Sequence, residues 1–124
     1  MNSQISDAEL EVMKFLWACE TATSPQIVTS LLNRTKWKPK TIHTLISRLV
    51  TKGAIFADKS NPKMFLYRAA VSQAQYRLTE NQSFLSRVYD GSMKMMLTAF
   101  IKEQILTDEE RADLRALIER DDKS

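Results

Sequence analysis

The most distinctive chemistry in this 124-residue sequence is a run of basic and hydroxyl-bearing side chains at 36–51, which contains no acid. The wider range 34–68 carries nine Lys or Arg against one acid, Asp58. Residues 1–70 hold ten bases and five acids, a net charge of +5, whereas residues 71–124 hold eight and ten, a net charge of −2. This local bias predicts attraction to a polyanion, although a well-solvated basic surface would share it.

The same run has the period of an α-helix, which we predict over residues 39–52. Pro39 suits a first helical turn and Gly53 a left-handed cap. At about 100° per residue, one arc that must face a core holds Ile42, Leu45, Ile46, Leu49 and Val50. The opposite arc holds Lys40, Thr41, His43, Thr44, Ser47, Arg48 and Thr51. Because a solvent-facing helix usually mixes acids with its bases at i, i+4, the missing acids favour an anionic ligand.

The side chains of this surface divide by the contacts that they can make with a duplex. Threonine, serine and arginine can read base edges in the major groove, whereas lysines more often contact phosphates and set the register. The predicted groove-facing residues are Thr41, Thr44, Ser47 and Arg48. The predicted phosphate contacts are Lys36, Lys38, Lys40, Lys59 and Lys63.

Two further side chains have more than one interpretation. His43 is a candidate groove contact or a plain surface residue; metal ligation is disfavoured because a site usually needs three or four ligands. Trp37 suits stacking beside the sugar-phosphate backbone, or burial just before the helix, which is commoner for an aromatic there. We therefore keep His43 among the candidate DNA contacts and predict no metal site.

Two helices are predicted before the basic run. Ser6 and Glu9 form a capping-box pattern that opens a helix over about 7–19. Ser24, followed by Pro25, is expected to cap a second helix. With helix 39–52, these elements predict a helix-turn-helix arrangement.

A hairpin is predicted after Gly53. The ranges 54–59 and 63–68 are short and rich in apolar and aromatic residues, and the turn residues Ser60-Asn61-Pro62 separate them. Three helices followed by a basic-tipped hairpin describe a winged helix over residues 1–70, with helix 39–52 in the major groove and the wing, 54–68, on the backbone.

Residues 71–124 are predicted to form a second, helical domain. Ser72, Ser92 and Thr107 can each cap a helix, and Gly91 interrupts the pattern. Apolar stripes without a covering domain favour association with a second copy, and folding back on the first domain as a monomer is the alternative. The predicted dimerisation residues are Phe84, Leu85, Val88, Tyr89, Met93, Met96, Leu97, Phe100, Ile101, Leu114, Leu117 and Ile118.

No catalytic arrangement is found, so we predict no enzyme activity and no cofactor. The chain has one His and one Cys, Cys19, and no glycine-rich phosphate loop. No apolar stretch approaches the roughly 20 residues of a membrane span, and a lone cysteine fits the reducing cytoplasm.

The prediction is a mainly α protein with a small β-hairpin. A helical protein-interaction adaptor without sequence-specific DNA binding is the competing function, although it has no need for the basic bias.

Sequence motifs extend over nearly the whole chain. They are ISDAELEVM at 5–13, LW at 16–17, WKPKTIHTLISRL at 37–49, KG at 52–53, FLY at 65–67, FL at 84–85, YDGS at 89–92 and LT at 106–107. Together they resemble the penicillinase repressor family, which includes the methicillin-resistance regulators. The resemblance implies a winged-helix domain and a helical dimerisation domain that bind a palindromic operator as a homodimer and block transcription.

The resemblance also implies a way of induction. In the best-known members a membrane-bound sensor metalloprotease responds to β-lactam, and the repressor is cut before a phenylalanine that Phe100 matches. The residue before it, usually asparagine, is Ala99 here, and this pair is the candidate cleavage site. Another branch senses copper through a cysteine-rich tail, whereas this chain has Cys19 alone; a metal-linked signal is the alternative. Lys38 also departs from the family, which often has a serine or threonine there that can cap the helix.

Overall fold

The computed structural model describes residues 4–122, and these form six helices and three strands. The predicted mainly helical fold with a small sheet is confirmed. The helices are α1 (Asp7–Cys19), α2 (Ser24–Arg34), α3 (Pro39–Thr51), α4 (Gln73–Tyr89), α5 (Met93–Lys102) and α6 (Asp108–Asp122). The strands are β1 (Thr21–Thr23), β2 (Ile55–Asp58) and β3 (Leu66–Ala69). Within this part of the chain, no helix combines the length and apolarity needed to cross a membrane.

Helix α1 begins with the predicted capping box. The Ser6 hydroxyl accepts the Glu9 backbone N–H at 3.1 Å, and the Glu9 carboxylate accepts the Ser6 backbone N–H at 2.8 Å. Two backbone donors that the first helical turn would leave without partners are thereby satisfied. The helix spans Asp7–Cys19, as predicted from the sequence.

The start of α2 corrects one prediction, because its N-cap is Thr23 and not Ser24. The Thr23 hydroxyl accepts the Gln26 backbone N–H at 3.3 Å, while the Gln26 side chain accepts the Thr23 backbone N–H at 2.8 Å. Ser24 is already helical and is followed by Pro25 within the first turn. A reciprocal pair of bonds outweighs the single bond that Ser24 could offer as a cap.

Helix α3 has the predicted division between an apolar and a polar side. Ile42, Leu45, Ile46 and Leu49 are buried, and Val50 is half-buried at the edge. Lys38 occupies the N-cap position with extended backbone but makes no side-chain capping bond. One residue beyond the helical Thr51, Lys52 is the C-cap, and Gly53 follows in the left-handed region at φ 81°. The predicted glycine stop is therefore confirmed, although the helix is one residue shorter than predicted.

The sheet has three antiparallel strands, so the prediction of a two-stranded hairpin missed one of them. Strand β3 lies between β1 and β2, and Arg68 is opposite both Thr21 and Phe56. The two predicted strands are also shorter than the predicted ranges 54–59 and 63–68. A three-residue strand is too short to give a clear alternating pattern, and β1 depends on a partner more than forty residues away.

The core of the first compact unit is formed where α1, α2 and α3 pack with the sheet. Its buried apolar residues are Val12, Met13, Leu16, Ala22, Ile27, Leu31, Ile42, Leu45, Ile46, Leu49, Ala54 and Ile55. Four of the twelve belong to α3, so the polar side of that helix must face away from the core.

The chain divides into two compact units, the first ending at Tyr76 and the second beginning at Arg77. The domain boundary that we predicted after residue 70 stays a prediction. The predicted helix caps are confirmed: the hydroxyls of Ser72, Ser92 and Thr107 accept backbone N–H groups at 3.0–3.1 Å. No side chain in the range 77–120 is buried.

Candidate nucleic-acid interface

The outer surface of α3 is an open polar face without an acidic residue. Thr41 is exposed at the edge of this face. The residues that form the face are Lys40, His43, Thr44, Ser47, Arg48, Thr51 and Lys52. All of them except Lys52 are exposed. The structure therefore brings together on one surface the predicted groove-facing residues with Lys40 and His43.

The residues just before α3 extend this surface. Lys36 and Lys38 are both exposed, whereas Trp37 between them is half-buried and packs against the core. The backbone N–H of Trp37 donates to the Thr35 hydroxyl at 3.2 Å, and that hydroxyl donates to the Leu31 carbonyl at 2.8 Å. The core placement of Trp37, one of the two interpretations given above, is confirmed, and it leaves the flanking lysines pointing outward.

The wing carries the other two predicted lysines. Lys59 and Lys63 are exposed in the loop between β2 and β3, and the Lys59 Nζ lies 5.5 Å from the centre of the Phe65 ring. The loop is shaped by two local bonds, in which Asp58 accepts the Ser60 backbone N–H at 3.0 Å and Asn61 accepts that of Lys63 at 3.0 Å. The hydrogen bonds from Ser60 also lower the pKa of Asp58 below its ordinary value.

Acidic residues neutralise only some of the nine bases in the range 34–68. The Arg34 Nη1 lies 3.7 Å from the Glu11 Oε1, and the Lys52 Nζ lies 2.5 Å from the Glu9 Oε1. Arg68 stacks over the Phe56 ring at 4.5 Å and helps to lower the pKa of Asp58. Besides Arg68, which also lacks an ion pair, six bases have none within residues 4–122, namely Lys36, Lys38, Lys40, Arg48, Lys59 and Lys63. These six are the basic members of the predicted DNA-binding set.

The pair of Glu9 and Lys52 is a feature of this surface that the sequence did not reveal. Glu9 is 2% exposed, and its Oε1 accepts both the Lys52 ammonium at 2.5 Å and the Ser6 backbone N–H at 2.8 Å. Lys52 also donates to the Gln4 carbonyl oxygen at 2.8 Å. Burial raises the pKa of Glu9, but the hydrogen bonds from Lys52 and Ser6 outweigh it, so the pKa lies below its ordinary value.

The predicted dimerisation residues lie on α4, α5 and α6, and none of them is buried within the single chain. Half-buried positions are Leu85, Tyr89, Met96, Leu97 and Phe100. Exposed positions are Phe84, Val88, Met93, Ile101, Leu114, Leu117 and Ile118. This apolar surface would be costly to leave in water.

The candidate cleavage site lies within regular helix. Ala99 and Phe100 belong to α5 and are half-buried, and their carbonyl oxygens accept the backbone N–H groups of Glu103 and Ile105 at 3.0 Å each. As for metal sites, residues 4–122 contain no group of three or more His, Cys, Asp or Glu that could hold an ion.

Three helices, a small sheet with a basic wing and an acid-free outer face on the third helix define the class of winged helix-turn-helix proteins. Two solved structures agree: the DNA-binding domain of the repressor BlaI, and the monomeric form of Bacillus licheniformis BlaI in complex with the blaP half-operator. Each is 37% identical to this chain and covers 61% of it and 92% of its own length, with TM-scores of 0.55 and 0.54.

The penicillinase repressor family model matches residues 5–120, and the chain belongs to that family. It is 35% identical to the penicillinase repressor of Bacillus licheniformis over 116 residues, 94% of this chain and 90% of the relative. It is 32% identical to the methicillin resistance regulatory protein MecI of Staphylococcus aureus strain N315, with 94% of each covered. These relatives are repressors and regulators, not enzymes. Family membership favours a repressor over the adaptor considered above.

Proposed function

We propose that this chain is a transcriptional repressor that binds a palindromic operator as a homodimer in the cytoplasm. Helix α3 would occupy the major groove of each half-site, and the wing at 54–68 would contact the backbone. The observation that carries this proposal is the acid-free face of α3 together with six exposed bases that have no ion pair among residues 4–122. A structure with 37% sequence identity to this chain was solved with a half-operator bound.

The roles within the interface follow from side-chain chemistry. Exposure on α3 supports the proposed contacts with base edges of four residues, Thr41, Thr44, Ser47 and Arg48. His43 lies between them as a further groove contact. The lysines stand before the helix, at its first turn and at the wing tip, where they would bind phosphates: Lys36, Lys38, Lys40, Lys59 and Lys63.

The homodimer is supported by the apolar side chains of α4, α5 and α6, none of which is buried in one chain. Two-fold association would cover them and would present two copies of α3 to two half-sites related by the same axis. Ile101→Asp, at a residue that is 45% exposed, should yield a monomer in sedimentation equilibrium. Thr98→Asp on the same helix is the control and should leave the dimer intact. A wild-type monomer at micromolar concentration would contradict the homodimer.

The test of DNA binding is selection from a randomised duplex library with the full chain, followed by affinity measurements at several salt concentrations. We expect palindromic sequences to be enriched. The five proposed phosphate contacts per protomer predict that log affinity falls with log salt with a slope of about −4.5 for each protomer, or about −9 for a dimer. A shallow slope together with no enriched sequence would contradict the proposal.

The inducing signal is proposed to be proteolysis between Ala99 and Phe100 by a membrane sensor protease. The support is the family resemblance at Phe100 and the position of the bond in the proposed dimerisation region. Mass spectrometry of the chain from its host after β-lactam exposure should then find a fragment that ends at Ala99. An intact chain whose operator is released by copper would instead favour the metal-linked signal.

A further inference from the structure

We propose that Glu9 and Lys52 are positioning residues that fix the orientation of α3 on the DNA, and that Lys52 makes no phosphate contact. This inference rests on the proposed function. Lys52 lies at the end of the outer face of α3, so its position alone would group it with the lysines that are proposed to bind phosphate. Its ammonium instead contacts Glu9 and Gln4 of its own chain.

The first argument is the direction of its bonds. Lys52 is the C-cap residue of α3, and its ammonium reaches the buried Glu9 of α1 and the carbonyl of Gln4. Apolar packing beneath α3 is non-directional. Hydrogen bonds between fixed donors and acceptors add a directional constraint on the helix, and buried polar networks are known to select one arrangement in some proteins.

The second argument is the contrast between the two ends of α3. At its first turn, Lys38 provides no side-chain capping bond. At its last turn, one Glu9 oxygen accepts both Lys52 and the Ser6 backbone, so the end of α3 and the start of α1 share an acceptor. The C-terminal end of α3 is therefore held by side-chain hydrogen bonds to the start of α1, whereas its N-terminal end lacks a side-chain cap.

The third argument is the cost of releasing Lys52. Glu9 is 2% exposed, whereas the Lys52 side chain is 26% exposed. If Lys52 turned toward a phosphate, the Glu9 carboxylate would stay buried without its cation, which is strongly unfavourable. Lys40, which has no acidic partner in the described range 4–122, bears no such cost, and it serves as the comparison for a proposed phosphate contact.

The experiment uses four variants of the full chain with two duplexes, the sequence selected by the wild-type protein and a scrambled duplex of equal composition. Glu9→Gln breaks the ion pair but keeps an oxygen for the Ser6 N–H. Glu9→Gln combined with Lys52→Met also removes the ammonium without leaving a buried carboxylate. Glu11→Gln, which loses only the exposed pairs with Lys14 and Arg34, is the matched control. Lys40→Gln reports the loss of one phosphate contact.

We expect Glu9→Gln and the double variant to lower the ratio of selected to scrambled affinity about tenfold, comparable to the loss of one base contact. Glu11→Gln should leave the ratio unchanged. The salt slope of the double variant should equal that of the wild type, whereas Lys40→Gln should flatten the wild-type slope by about 0.9. A role in stability alone would lower the folded fraction, visible by circular dichroism, without changing the ratio.

Two outcomes would overturn the proposal. An unchanged affinity ratio in folded Glu9→Gln would mean that the pair does not orient α3. A salt slope about 0.9 shallower in the double variant than in the wild type, with the slope of Glu9→Gln unchanged, would identify Lys52 as a phosphate contact.

A measurement on the wild-type chain covers the case in which a variant does not fold. Amine acetylation followed by mass spectrometry should label Lys52 slowly in the free protein, because its ammonium is bound, and Lys40 quickly. Labelling of Lys52 at the rate of Lys40 would refute the pair. If the wild-type chain shows neither sequence preference nor salt dependence, the proposed function fails, while slow labelling of Lys52 would still establish the ion pair.

Discussion

The indole N–H of Trp17 donates to the carbonyl oxygen of Val71 at 2.9 Å, a bond between residues 54 positions apart. The same indole lies 5.4 Å from the ring of Tyr76. The bond ties α1 to the segment that follows β3, so a residue in the first helix fixes the path by which the chain leaves the sheet. Trp17 is half-buried, and its ring covers part of the core.

Trp17→Phe should therefore lower the free energy of unfolding by about 1 kcal/mol, because it removes one hydrogen bond and keeps an aromatic ring. Urea denaturation followed by circular dichroism measures the change. Trp17→Ala should cost more, about 3–5 kcal/mol, because the ring is lost as well. Equal losses for the two variants would show that the ring adds nothing beyond the Val71 bond, and an unchanged stability of Trp17→Phe would show that the bond adds nothing.

The cap of α2 gives a second prediction. Thr23→Ala should destabilise the protein by about 1 kcal/mol, because it removes the hydroxyl that accepts the Gln26 N–H. Ser24→Ala is the control one residue away, and it should change stability by no more than a few tenths of a kcal/mol. Thermal unfolding of both variants tests the assignment, and a larger loss for Ser24→Ala would contradict it.

Lys38 gives a prediction in which stability and DNA affinity change in opposite directions. Its backbone, at φ −84° and ψ 156°, already has the extended conformation of a helix N-cap. Lys38→Ser should stabilise the free protein by about 1 kcal/mol through a new capping bond. It should also flatten the salt slope of DNA binding by about 0.9. A variant that is more stable and keeps the wild-type slope would remove Lys38 from the phosphate contacts.

The depressed pKa of Glu9 predicts how stability depends on pH. Because the carboxylate is more acidic in the folded than in the unfolded chain, its contribution is present above the unfolded-state pKa and is lost as pH falls through the folded-state pKa. The free energy of unfolding should therefore fall more steeply below about pH 4 in the wild type than in Glu9→Gln. Glu11→Gln should retain the steep decline. Parallel curves for the wild type and Glu9→Gln would contradict the role of Lys52 and Ser6.

Local chemistry made much of the first unit predictable. A capping box needs residues only three positions apart, and the arc of Ile42, Leu45, Ile46 and Leu49 lies within two helical turns, so the sequence was enough to define α1 and the two sides of α3. The cap of α2 was also predictable, because Thr23 and Gln26 have capping-box spacing. The sequence Ser24-Pro25 matches a competing pattern, in which an N-cap residue precedes a proline in the first turn.

The features that were missed depend on residues far apart in the chain. Glu9 and Lys52 are separated by 43 positions, and although Glu9 belongs to the capping box of α1, no local pattern indicates Lys52 as its partner. Strand β1 has three residues and exists because β3 supplies its hydrogen bonds. Such pairings follow from the packed fold, so periodicity and capping rules cannot reveal them.

The central place of β3 in the sheet separates the framework of the wing from its tip. Because β3 pairs with β1 on one side and β2 on the other, the register at the base of the wing is held from both edges. The loop that carries Lys59 and Lys63 lies beyond that paired region. A designer could therefore lengthen this loop or exchange its charges to retune binding to flanking DNA, while the scaffold that holds α3 is left untouched.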